Sequence, residues 1–145
     1  MKQEDKELLL KDLCSRLPYG VKCKDTNINV TGTLSQIGLH YDMCTLDKDD
    51  GESESCYLLN CKPYLFPMSS MTKEQKEEFV KFAAYEPRLE DCGRHQELFY
   101  YDLVGHENNF YPNSDSVDWC NANNFDYRGL IPKSLAIDAT NLNIY

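Results

Sequence analysis

The residues whose types and spacing could do chemistry stand mainly near the C-terminal end of the chain. Asp126, Tyr127 and Arg128 precede Gly129, and Asn123 and Asn124 come just before them. A guanidinium is a planar fork that matches a phosphate or carboxylate with two parallel hydrogen bonds. Arg128 could clamp such an anion, Tyr127 could stack on a base or ring, and Asn123 and Asn124 could add hydrogen bonds. The same residues could equally hold a turn, with Arg128 paired to Asp126 or capping a helix end and the aromatics in the core. The structural use is the commoner one for an Arg–carboxylate pair, so it is favoured.

Metal and nucleophile chemistry have thinner support. Cys92 and His95 have Cys-x2-His spacing, and four residues separate Cys56 from Cys61. Together they would make four tetrahedral ligands, but neither spacing is a common zinc knuckle and Cys-x2-Cys is absent. The expectation is therefore no metal and no cofactor, with most of the seven cysteines acting as small buried apolar residues. The acidic run Asp47 to Glu52 fails as an EF-hand, which needs Gly at the sixth position and Glu at the twelfth, because Gly51 falls fifth and Leu58 twelfth. A solvated hairpin loop fits it better. A hydrolase would need a nucleophile, a His and an orienting acid. His40, His95 and His106 are the available imidazoles, with Glu97 and Asp102 near the last two. His95 and Glu97 would not share a helix face, and no phosphate loop or nucleophile elbow is present. An enzyme using His95 or His106 stays open without positive support. Phe99, Tyr100, Tyr101, Phe110 and Tyr111 form an aromatic-dense stretch. It reads as core or as an interaction surface, since Tyr carries apolar area with a polar tip.

The elements that would position these residues follow from periodicity. Gln3 to Leu17 reads as an amphipathic helix with Leu9, Leu13 and Leu17 at four-residue spacing and Lys6, Glu7, Lys11 and Asp12 on other sides. Pro18-Tyr19-Gly20 ends it. Val21 to Lys24, Asn29 to Leu39 and His40 to Leu46 read as strands, with Gly32 and Gly38 marking bulges or bends. Asp47 to Ser55 is a loop around Gly51, Cys56 to Asn60 a further strand, and Pro63 to Pro67 the way out of it. Thr72-Lys73-Glu74-Gln75 has the form of a capping box and opens a helix with Phe79, Phe82 and Ala83 on its apolar face and Pro87 at its end. Glu90 to Arg94 and Glu107 to Asn113 read as loops, and Gln96 to Val104 fits either a short helix or a strand. Asn113 or Ser114 caps a helix carrying Val117, Trp119 and Cys120, with Asp118, Asn121 and Asn123 toward solvent. The Asn-rich run ends that helix. Leu135 to Ile137 is a short buried segment, and Leu142, Ile144 and Tyr145 suggest that the tail packs on the body. The order predicts one α+β domain over residues 1–145, a small antiparallel sheet with helices packed on one face.

Composition narrows the partners. The 145 residues carry a formal charge of −9 with an ordinary hydrophobic share of 41%. That charge argues against direct binding to nucleic acid or to an anionic membrane. It suits a basic protein partner, although solubility alone accounts for it. Met1 to Asp5 is polar, Leu8 to Leu10 is too short for a signal core, and no apolar run reaches transmembrane length, so a cytoplasmic protein is expected.

The stretches LCSRLPYGVKC (Leu13 to Cys23), CKPYLFPMSSMTKEQ (Cys61 to Gln75) and NNFDYRGLIPKSLAIDATNLNIY (Asn123 to Tyr145) resemble a family of short uncharacterised proteins of gut bacteria and of their phages and mobile elements. The resemblance implies a genomic setting and no particular activity. The function expected is a non-catalytic accessory or protein-binding factor that engages a host or phage protein through Tyr-rich, acidic surface such as Tyr100, Tyr101, Phe110 and Tyr111. The alternatives are a binder of a nucleotide-like anion at Arg128 and Tyr127, or an unrecognised enzyme.

Overall fold

Side-chain alternation decides which residues of the sheet face inward. Strands β1 (Lys22–Asp25), β2 (Val30–Gly38), β3 (Met43–Asp47), β4 (Ser53–Tyr57) and β5 (Cys61–Leu65) pair antiparallel. A short β6 (Ile137–Asp138) adds in parallel to β5, giving the order β4-β3-β2-β1-β5-β6. These come from a computed structural model that describes residues 2–38, 40–83 and 114–145. Among the described residues the α-helices are α1 (Gln3–Arg16), α2 (Lys73–Ala83) and α3 (Ser114–Ala122). The architecture is α+β, a curled and mostly antiparallel sheet with helices packed on one face.

The inward face presents Cys23, Leu34, Cys44, Leu46, Cys56, Cys61 and Leu65, and Leu9 and Leu13 of α1 close over it. Each such Leu removed from water contributes about 1.5–3 kcal/mol. A second cluster joins Phe79 of α2, Trp119 and Cys120 of α3, Met71 and Phe125. There the Trp119 and Phe125 rings stack at 5.4 Å with only 4° between their planes, and Phe79 lies 5.2 Å from the indole. The Thr72 capping box forms in full: Gln75 Oε1 accepts the Thr72 N–H at 2.9 Å, and Thr72 Oγ1 accepts the Gln75 N–H at 3.2 Å. Asn124 adopts φ 57°. Phe125 N then donates to Cys120 O and Asn124 N to Asn121 O. That is a left-handed helix cap with Asn in the place usually given to Gly.

Several expectations change. The strand expected at Cys56–Asn60 lies earlier, at Ser53–Tyr57, and Leu58–Asn60 is a 3-10 turn. The hairpin loop therefore shrinks, with Lys48 N donating to Glu52 O and Gly51 at φ 87°. The third strand starts only at Met43, after a turn in which Asp42 takes φ 52°. Pro63 sits inside β5. It is tolerated because the bonded position nearby is Thr26 to Asn60, which places Pro63 opposite Cys23 at a non-hydrogen-bonded site where no N–H toward β1 is needed. The irregularity in β2 falls between Leu34 and Gln36, not at a glycine. Gly32 is required by close approach, since a Cβ there would meet the Asp47 carbonyl oxygen at 2.7 Å. Asp12 and Asn121, expected in solvent, are buried, whereas Phe82 is partly exposed. The helix end at Pro87 and the assignments between Glu90 and Asn113 lie outside the described residues.

Because the obstacle at Gly32 is backbone, Gly32→Ala should force β2 and β3 apart. The expected cost is about 1–3 kcal/mol, read as a lower urea midpoint. A midpoint equal to that of the parent would show that the two strands can move apart freely.

Candidate functional site

Helix α1 carries two charged side chains on its inward stripe. Asp12 and Arg16 continue the spacing of Leu9 and Leu13, and both are fully buried, at 0% exposure. Arg16 Nε donates to Asp12 Oδ2 at 2.8 Å, Nη2 to Phe125 O at 2.7 Å, and Nη1 to Cys120 O at 3.4 Å. The guanidinium thus receives a carboxylate on one side and carbonyls at the C-terminal end of α3 on the other, where a cation complements the helix dipole. Burial raises the Asp12 carboxyl above its ordinary pKa, outweighing the opposing pull of Arg16 and Arg128.

The candidate residues Tyr127 and Arg128 fold onto this pair. Arg128 Nε lies 3.4 Å from Asp12 Oδ1, an ion pair without hydrogen-bond alignment, and Nη2 donates to Ser15 Oγ at 3.3 Å. Its guanidinium also lies over the Tyr127 ring, 4.8 Å from the centroid, with Arg16 at 5.5 Å. Arg128 pairs with Asp12 rather than with Asp126. The Asp126 carboxylate instead accepts the N–H groups of Leu130 and Ile131, each at 2.8 Å, and so holds the turn through Gly129. Asn123 Nδ2 donates back to Trp119 O in the last turn of α3, and Asn124 forms the helix cap. The sequence neighbours Asn123, Asn124, Tyr127 and Arg128 therefore direct much of their polar capacity inward.

A second constellation lies under the sheet. Cys44 and Cys56 are directly opposite on β3 and β4, with Sγ atoms 3.3 Å apart. The curl of the sheet and the turn at Leu58–Asn60 bring Cys61 to them, and the three Sγ atoms lie within 4.8 Å of one another. Cys23 lies on β1, the strand that pairs with the β5 strand of Cys61. At Cys44 the bond with Cys56 pulls the thiol pKa down, but Cys61 and burial push it up to about 12. At Cys56 the bond with Cys44 pushes it up, Cys61 opposes, and burial adds to reach about 12. Cys61 is raised as well, first by the neighbouring Cys23 thiol. Burial takes Cys120 to about 12 against the pull of Arg16. These residues could hold a soft metal ion.

Sequence reasoning paired Cys56 and Cys61 with Cys92 and His95, and it missed Cys23, Cys44, Asp12 and Arg16. The signal for the last two was present, opposite charges at i and i+4 within a leucine stripe. At the surface, Tyr41 and Tyr57 are 76% and 61% exposed, and Leu59 is exposed in the turn after β4. The expected interaction residues Tyr100, Tyr101, Phe110 and Tyr111, and the imidazoles His95 and His106, lie outside the described residues. No helix among the described residues is long and apolar enough to cross a membrane. Comparison with protein-family models, with curated proteins and with solved structures finds no match.

Two outcomes follow. Asp12→Leu should cost about 3–5 kcal/mol, because it leaves the Arg16 charge buried without its carboxylate. Adding Arg16→Met should recover part of that loss in urea unfolding, and a double variant weaker than Asp12→Leu alone would show that Arg16 is held by the carbonyls independently of Asp12. The thiols give a pH dependence. In the protein free of any metal ion, Cys44, Cys56 and Cys120 have an ordinary value of 9.0 and folded values of about 12. The folded state keeps protons that the unfolded chain loses, so their contribution is full below pH 9 and falls as pH rises from about 9 to 12. Each thiol changes the folding free energy by about 1.4 kcal/mol per pH unit inside that window. Urea midpoints at pH 8 and pH 10 that agree would contradict it.

Proposed function

We propose that the protein is a non-catalytic accessory factor that works in the cytoplasm by binding another protein, in keeping with the phage or mobile-element setting that its sequence resemblance implies. The observation that carries this reading is the exposure of Tyr41 and Tyr57 at one end of the β3–β4 pair. Tyr57 is held on β4 and Tyr41 on the turn that leads into β3, and Tyr is enriched where one protein anchors on another. Strand β4 is also an edge strand, and among the described residues nothing pairs with its outer side. Such an edge can accept an added strand from a partner. The charge of −9 favours a basic partner surface and speeds encounter with it.

Capture of a nucleotide-like anion at Arg128 has less support, because Asp12, Ser15 and the Tyr127 ring already engage that guanidinium.

The test uses untagged protein and the double variant Tyr41→Ser/Tyr57→Ser, cross-linked in extract of the producing host. One host protein should be enriched by the parent and fall about tenfold or more with the variant, as expected for loss of anchoring aromatics. The variant should keep the parent's thermal midpoint, since both side chains are exposed. Equal enrichment by the two proteins, or none by either, would overturn this placement.

A further inference from the structure

We propose that Cys44, Cys56 and Cys61, with Cys23 as fourth ligand, form a closed thiolate site for a zinc ion. The argument begins with convergence. Four strands, β1, β3, β4 and β5, each contribute one inward cysteine, separated along the chain by twenty, eleven and four residues. Filling a core with small apolar groups does not require thiols to meet, whereas here three Sγ atoms share a space no wider than 4.8 Å and Cys23 stands on the strand beside Cys61. A tetrahedral zinc with bonds of about 2.3 Å sets sulfur atoms about 3.8 Å apart. For Cys44, Cys56 and Cys61 the 3.3 Å separation of the first two and the 4.8 Å outer bound bracket that spacing, and Cys23 completes the set by rotating toward them from β1.

A disulfide is the competing use of the same atoms. It would join Cys44 to Cys56 across the hairpin and leave Cys61 and Cys23 with no part. It would also tie together only two strands that already pair. The ion ties β3 and β4 to β1 and β5, which lie on the other side of β2 in the sheet, and so fixes the curl. All four cysteines are buried, so the site has no open position for water or substrate and its role is structural. Burial also means that loading accompanies folding rather than following it. Each cysteine gives up its thiol proton when it binds, so four protons leave as one zinc enters and two of the four thiolate charges are neutralised. Acid should release the metal steeply for that reason.

The experiment refolds the full untagged chain under reducing, oxygen-free conditions, with and without Zn2+, and then removes loose metal with a chelator. About one equivalent of zinc should remain, and the zinc-folded protein should melt several degrees above the zinc-free one. Refolding with Co2+ instead should give the thiolate-to-cobalt charge-transfer absorption of a tetrahedral sulfur site. Cys14→Ser and Cys92→Ser should keep the metal, whereas Cys44→Ser and Cys61→Ser should lose it. The cobalt spectrum of the parent protein tests the site even if those last two variants fail to fold. Less than a tenth of an equivalent in the parent, a cobalt spectrum without thiolate charge transfer, or loss of the metal with Cys92→Ser alone would overturn the assignment.

Discussion

A single buried guanidinium sets the relation between the two halves of the structure. Arg16 is the last residue of α1, and its partners are Asp12 in the same helix and the carbonyls of Cys120 and Phe125 a hundred residues later. A charge at 0% exposure is tolerable only if each donor direction meets an acceptor, since solvation by water is gone. That requirement makes the geometry selective. The Asn124 cap must turn the chain so that Phe125 O points back, and the Phe66–Phe125 bridge must hold it there. Hydrophobic contact between the two clusters would permit many small displacements, whereas the fork of Arg16 permits few.

The same constraint explains why the turn after α3 is rich in polar residues yet well ordered. Asp126 spends its carboxylate on two backbone N–H groups, Arg128 lies between Asp12 and the Tyr127 ring, and Leu130 enters the core beyond them. The tail then returns to the sheet through β6, and the Tyr145 hydroxyl donates to Tyr64 O. Arg128 and Asn123 thus make contacts within the chain. In a chain with excess negative charge, cations placed inside are drawn into matching the carboxylates and carbonyls that burial has left without water.

Local signals were legible where a few neighbouring residues settle the outcome. The Thr72 and Gln75 pairing, the helix stop at Asn124 and the α1 leucine stripe depend on spacing within one or two turns, and each formed as its spacing implied. The strand boundaries after Asp47 were harder, because Ser53 to Ser55 is polar on the solvent side of an edge strand and lacks the apolar alternation that marks a buried one. Pro63 misled for a related reason: its effect depends on which ladder position it occupies, and register is a property of two strands. Asp12 looked like surface because burial of a charge is decided by its partner, and that partner's other ligands lie near residue 125. The thiols follow the same logic, since Cys44 and Cys56, opposite each other on β3 and β4, meet Cys61 only through the curl of the sheet.

The two buried polar constellations differ in what they leave unused. Around Arg16 a carboxylate and two carbonyls already engage the guanidinium, so a ligand arriving there would compete with them. The thiols have only weak hydrogen bonds to one another, and their raised pKa values measure how poorly that pocket accommodates negative charge by itself. A dipositive ion reverses that balance, because it converts the same crowding of sulfur into coordination. The proposed metal site therefore lies under the sheet, in the cysteines, apart from the cluster of Arg, Asp and Tyr at the helix ends.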